Sequence, residues 1–130
     1  MSCDAVIDSY AWIEYFKGTE YGRRAGKYIE RGNCATPTIV LAELSDKYHR
    51  EGWKFWEDDL EFILAKTEII DLTKEIAIKA GEIKKMMRNS HPNFGLADAI
   101  LYETAQSVNA PVLTGDEHFK GVENVIYIKA

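Results

Sequence analysis

The chain has 130 residues, 46% apolar and 28% charged, with a formal net charge of −5. That length suits one domain around a single core, residues 1–130, and no apolar run approaches the roughly 20 residues needed to cross a bilayer. The acidic balance excludes a protein that holds nucleic acid by bulk positive charge, but not one that holds phosphates through bound cations.

The start, MSCDAVIDSYAW, lacks the basic segment and cleavage site of a signal peptide. Cys3 and Cys34 are unpatterned, as reduced thiols of a cytoplasmic protein would be. Ala5-Val6-Ile7 reads as a strand with Asp8 at its exit, and Ser9 as the cap of a helix to about Lys17, closed by Gly18. Asp4 lies four residues back, roughly 13 Å along a strand, and so belongs to the opposite sheet edge and outside any site at Asp8.

Thr19 predicts a helix start running to Arg31 and Gly32. Cys34-Ala35 is long enough only for a very short strand, and Thr36-Pro37 reads as cap and first helical proline of a helix to Arg50, closed by Gly52. Glu43 sits on that helix among Val40, Leu44 and Tyr48. Trp53 to Lys66 predicts a further helix with Trp56, Leu60, Ile63 and Leu64 as its buried stripe, and with Phe55 and Phe62 sharing another side. Two helices around Gly52 make a projecting hairpin with aromatic residues to spare.

Glu68 to Asp71 reads as a strand, Thr73 as the cap of a helix to about Arg88, and 89–93 as a loop. A helix from Gly95, a strand Pro111–Thr114 and a last strand Asn124–Ile128 follow. Strands alternating with helices predict an α/β fold, a doubly wound, mainly parallel sheet of four or five strands flanked by helices.

Such sheets bind ligands at the carboxyl edge of their strands. Asp8 and Asp116 lie at strand exits and Asp98 in the first turn of a helix, all in otherwise apolar or small surroundings. Each alone has an ordinary explanation, as a helix cap, a first-turn acid or a turn residue. Glu43 is harder to place so, because a carboxylate on an apolar face costs desolvation unless something pairs with it. No Lys or Arg adjoins the other three acids, and clustered carboxylates call for a divalent cation. Oxygen-only ligands indicate a hard ion, Mg²⁺ or Mn²⁺.

Four blocks carry a resemblance: Val6-Ile7-Asp8-Ser9-Tyr10-Ala11-Trp12-Ile13, Thr36-Pro37-Thr38-Ile39-Val40-Leu41-Ala42-Glu43-Leu44, Leu96-Ala97-Asp98-Ala99, and Leu113-Thr114-Gly115-Asp116-Glu117-His118-Phe119. In order and spacing they resemble the PIN-domain family, and most nearly its VapC-type toxin ribonucleases. The resemblance implies Asp8, Glu43, Asp98 and Asp116 as catalytic Mg²⁺ or Mn²⁺ ligands, with Ser9 and Thr114 as hydroxyl contacts to those acids or to water on the metal. It also implies cleavage of single-stranded RNA, an antitoxin partner lying over the acidic groove, and a homodimer. Tyr10 departs from the family, where a smaller residue is frequent, so access beside Asp8 is altered.

A divalent ion that activates water needs no protein nucleophile, and none is evident. His49, His91 and His118 read as surface or structural residues, His118 being the least safe of these because it is two residues from Asp116. Glu14 reads as solvent-facing. Arg23-Arg24 with Lys27, Lys47 with Arg50 and Lys54, and Lys84-Lys85 with Arg88 are solvated faces or RNA contacts. Tyr10, Trp53 and Phe94 are core residues or stacking platforms for bases.

An aspartyl phosphotransferase would carry Asp-x-Asp after the first strand, where Tyr10 stands, and a receiver domain would carry a lysine after a late strand, where Thr114-Gly115-Asp116 stands. Within the family the alternatives are an RNA-processing nuclease that is not a toxin and a fold kept only for interaction. The aromatic hairpin Trp53–Lys66 is the expected dimer or antitoxin surface.

Overall fold

Ala5, Val6 and Ile7 are wholly buried and form β1 (Ala5–Ile7), the centre of the sheet, in a computed structural model that describes residues 2–129. An apolar run without alternation is what a strand covered on both faces requires. Beside it lie β2 (Cys34–Pro37) and β4 (Val112–Thr114), and outside these β3 (Glu68–Ile70) and β5 (Val125–Tyr127). All pairings are parallel and the order is β3-β2-β1-β4-β5. The doubly wound parallel fold expected from the strand–helix alternation is thus present with five strands. The helices are α1 (Ser9–Lys17), α2 (Glu20–Ile29), α3 (Thr38–Glu51), α4 (Trp56–Lys66), α5 (Lys74–Met87) and α6 (Leu96–Ser107). Helix α1 packs on α2 and α5 on α6. No helix among the described residues is long and apolar enough to cross a membrane.

The α1–α2 contact depends on Gly22, where an added Cβ would collide with the Glu14 carbonyl. Thr19 caps α2 as expected, its hydroxyl accepting from Gly22 N–H at 3.1 Å, a bond of the kind that stabilises by about 1 kcal/mol. It also donates to Glu14 Oε1 at 2.8 Å, so Glu14 is half-buried and engaged rather than solvent-facing. Helix α2 ends at Ile29, earlier than the predicted Arg31.

Several predicted boundaries shift for physical reasons. Asp8, not Ser9, caps α1: its carboxylate accepts from Ser9 N–H at 2.7 Å. Thr36 and Pro37 end β2 instead of starting a helix. The Thr36 hydroxyl is fully buried and accepts from Trp12 Nε1–H at 3.2 Å. It lies 2.8 Å from the Thr67 hydroxyl, which donates to the Ile63 carbonyl at 2.9 Å. Thr67's proton is therefore spent on Ile63, so Thr36 donates to Thr67 and is not free to cap. This relay anchors Trp12, one of the largest fully buried side chains.

The hairpin differs most. Trp53 lies outside α4, its ring 5.3 Å from that of Tyr48, and Phe55 takes a left-handed conformation (φ 70°) ahead of the helix. Phe55 and Phe62 therefore do not share a helical side. Of the predicted stripe only Ile63 is buried, Trp56 and Leu60 are half-buried, and Leu64 is 49% exposed. Phe62 turns back on the domain, with its ring within 6.2 Å of Trp12, Tyr15 and Phe16.

Candidate functional site

Strand order reverses beside β1, between β1 and β4, and this is where parallel sheets of this winding open a crevice at their carboxyl edge. Asp8 and Asp116 follow those two strands. The register Ile7↔Leu113 continues to place Thr114 beside Asp8, and the wholly buried Thr114 hydroxyl donates to Asp8 Oδ2 at 2.7 Å. Thr114 Oγ1 in turn accepts from Asp116 N–H at 2.9 Å. One threonine thus ties the exits of two strands together. Ser9 Oγ lies 3.3 Å from Asp8 Oδ1 and 3.4 Å from Glu43 Oε1, linking the strand exit to α3.

Asp98 enters from the first turn of α6, accepting from Gly95 N–H at 2.8 Å. That position is favourable for an acid in its own right, through the helix dipole. Asp116 Oδ1 accepts from His118 N–H at 2.9 Å, which closes a short turn over Glu117–Phe119. The turn carries the His118 ring back so that Nδ1 lies 2.9 Å from Asp98 Oδ2 and 3.8 Å from Asp116 Oδ1. With a carboxylate as acceptor, Nδ1 carries the proton. Ligand atoms of Asp98, Asp116 and His118 all lie within 4.8 Å of one another.

The electrostatics show how unfavourable the cluster is by itself. Asp8 is buried at 4% exposure. Loss of solvent drives its pKa up to about 6, aided by Asp116 and Asp98 and opposed by the Thr114 and Ser9 bonds. Glu43 is pushed further, to about 7, by burial first and then by the charges of Asp8, Asp98 and Asp116. Burial disfavours the His118 cation, yet the Asp98 hydrogen bond and the surrounding acids outweigh it and hold its pKa above the ordinary value. Among the described residues no lysine or arginine forms an ion pair with Asp8, Glu43, Asp98 or Asp116. Carboxyl oxygens are the donors a hard divalent ion takes, so the residues present fit such an ion.

The fold brings together all four acids named from the sequence, with Ser9 and Thr114 between them. Asp4 stays apart, accepting from the Asn33 amide at 3.2 Å at the other end of β1. His118 is the site residue the sequence undervalued; its signal was its place two residues after Asp116. The basic clusters divide. Arg24 donates to the Ile128 carbonyl at 2.9 Å and Arg88 to the Phe94 carbonyl at 2.8 Å, both structural uses. Lys47 and Arg50 instead line a cavity shared with Ser9, Glu43 and Asp116. Phe94 and Trp12 are core, whereas Tyr10 is half-buried beside the acids.

The family model for the PIN domain matches residues 5–125. No curated protein matches the sequence. The fold is similar to a toxin–antitoxin complex from Klebsiella pneumoniae (TM-score 0.70, 23% identity, 96% of this chain and 98% of that one). It is similar also to VapBC2 from Rickettsia felis bound to a promoter DNA fragment (TM-score 0.69, 23% identity, 95% and 96% of the chains). A third similar structure is PAE2754 from Pyrobaculum aerophilum (TM-score 0.73, 12% identity, 99% and 92%).

Proposed function

The chain belongs to the PIN-domain family, and from that premise we propose that it is a VapC-type, Mg²⁺- or Mn²⁺-dependent endoribonuclease. It cleaves single-stranded RNA in the cytoplasm as the toxin of a toxin–antitoxin pair. The observation that carries this is the convergence of Asp8, Glu43, Asp98 and Asp116 from four separate elements, with pKa values of Asp8 and Glu43 driven up to about 6 and about 7 by burial and by the neighbouring carboxylates. The similarity to toxin–antitoxin complexes supports the toxin role and an antitoxin partner.

In this reading the four acids hold the metal. Bound there, the ion would neutralise charge on the attacked phosphate and lower the pKa of water to near neutrality. The chain's own work is positional. Thr114 and Ser9 fix both oxygens of Asp8 so that the carboxylate faces the groove in one orientation. The Ser9 hydroxyl reaches one oxygen of Glu43, at 3.4 Å. His118 orients Asp98, as partners behind metal ligands commonly do. Purified protein should cut single-stranded RNA with Mg²⁺ or Mn²⁺ and stop in EDTA; cutting undiminished by EDTA would contradict the mechanism.

The partner surface follows from the hairpin. Phe55 is 68% exposed and Leu64 49%, and large apolar side chains left open to solvent together often mark a partner surface. We therefore propose a homodimer or antitoxin contact there, with Phe55 central and Phe62 largely committed to its own domain. Phe55→Glu should lower the mass seen by light scattering or weaken antitoxin binding about tenfold or more, as loss of a central interface aromatic does. A parent protein that is monomeric and binds antitoxin independently of Phe55 would rule the surface out.

A further inference from the structure

Two cavities flank the acids, and Tyr10 and Asp116 line both. The larger, of about 640 Å³, lies between the loop Ser90–Phe94 and the segment Gly115–Lys120. The smaller, of about 260 Å³, runs between α1 and α3. Sites for small organic ligands occupy about 300–1,000 Å³, so the larger has room for one nucleoside and the smaller, open at its rim, for part of one. Basic side chains line both: Lys120 and Lys129 in the larger, where Lys129 lies 3.8 Å from Glu117, and Lys47 and Arg50 in the smaller, where Arg50 pairs with Asp46 at 2.7 Å. Among the described residues Lys120 and Lys47 have no ion-pair partner, and one in each cavity gives a phosphate backbone that crosses the cluster an ammonium on either side.

Tyr10 stands on that path and is held there. A Cβ on Gly115 would lie 2.5 Å from Tyr10 Cε1 and 3.0 Å from Cδ1, so one edge of the ring rests directly on the Gly115 backbone. The Lys129 ammonium lies 5.9 Å from the ring centroid. Among the described residues no hydrogen bond engages the Tyr10 hydroxyl, so what the residue offers is an aromatic ring fixed between two cavities.

Resting on the reading of the acids as a phosphodiester-cleaving centre, we infer that Tyr10 is a substrate-binding residue. Its ring is a septum that parts the two nucleosides flanking the scissile phosphate. One nucleoside enters the larger cavity and its neighbour reaches partly into the smaller, the base in the larger cavity stacks on the ring, and the phosphate between them is presented at Asp116. Base–aromatic stacking is tolerant of base identity, so Tyr10 sets the shape of the bound strand more than its sequence. The basic groups at the cavity walls serve the outer phosphates.

The test uses the full-length protein and a single-stranded, uridine-rich oligoribonucleotide. 4-Thiouridine is placed at successive positions, and the complex is irradiated with Ca²⁺ replacing Mg²⁺; cleavage kinetics are measured in parallel with Mg²⁺. Crosslinks to Tyr10 should arise from the nucleotides beside the cut phosphate and from no others. Tyr10→Ala should raise KM roughly ten- to hundredfold with kcat changed only a few-fold, and Tyr10→Phe should restore KM. Tyr10→Leu, which keeps apolar bulk over Gly115 without an aromatic face, should behave as Tyr10→Ala and separates stacking from a folding defect. Cleavage with parental KM in both the Ala and Leu variants, or crosslinks confined to other residues, would overturn the septum and leave the nuclease reading intact. Crosslinking at Tyr10 without cleavage would sustain the subsite and overturn the nuclease reading. Neither crosslink nor cleavage would overturn both.

Discussion

Asp4 and Asp8 bracket the same three-residue strand, one at each end, and meet opposite environments. Asp4 is half-buried and faces the neutral Asn33 amide at 3.2 Å. Asp8 is buried among three other carboxylates, with two hydroxyls and a backbone N–H supporting it and no base paired to it. A strand exit alone therefore does not make a site. What makes one is the winding of the sheet, which sends α3, α6 and β4 to the carboxyl edge of β1 and leaves the amino edge to a short turn. The cost of the crowded edge is visible in Asp8 and Glu43, whose protons are held to about 6 and about 7. The carboxyl oxygens gathered there, with His118 as the one basic side chain within 4.0 Å of them among the described residues, are a donor set that fits a divalent cation.

The largest expected contrast between the two edges is in activity. Asp8→Asn, Asp98→Asn or Asp116→Asn should each lower RNA cleavage by a hundredfold or more, the scale of losing a group that holds charge in the transition state, roughly 10²–10³. Asp4→Asn should stay within about twofold, because surface changes away from a site usually alter little. Equal losses at Asp4 and Asp98 would erase the distinction.

A smaller contrast is in stability against pH without metal. The folded pKa values of Asp8 and Glu43 lie above their unfolded values of 3.8 and 4.5. The native state therefore binds more protons than the unfolded state between about pH 4 and 7, and stability falls as pH rises through that window. The raised pKa of His118 acts in the same sense: its contribution is complete below the unfolded value of 6.5 and is lost as pH climbs through the folded one. Denaturant melts in EDTA should thus show a loss on the order of 2–3 kcal/mol from pH 5 to pH 8. Asp98→Asn should flatten that slope by relieving repulsion on Glu43 and Asp8, while Asp4→Asn should leave it unchanged. A metal-free protein that gains stability over this range would contradict the electrostatic account.

Much of this edge was legible in the sequence, because strand exits and helix first turns are local features. Asp8, Asp98 and Asp116 each follow a short apolar run or a helix start, and Glu43 stands out on an apolar helical face. Ser9 and Thr114 adjoin or precede the acids they support. The less legible parts depend on long-range packing. Thr36-Pro37 has the chemistry of a helix start, yet the Thr36 hydroxyl is claimed by Trp12 and Thr67, the latter 31 residues away. Trp53 has the spacing of a helical residue, yet its ring is drawn onto Tyr48 with Lys17 and Lys47 over it at 4.8 and 5.9 Å. His118 was undervalued for a similar reason: its partner Asp98 lies 20 residues earlier, on another element.

The claim on which everything else depends is that the carboxyl edge, and not the amino edge, takes a divalent cation. Mn²⁺ binding at neutral pH, followed by the electron paramagnetic resonance of the free ion, measures it directly. The parent and Asp4→Asn proteins should take up Mn²⁺ with equal affinity, and Asp98→Asn and Asp116→Asn should bind it at least tenfold more weakly. Equal uptake by all four proteins, or none by the parent, would contradict the account.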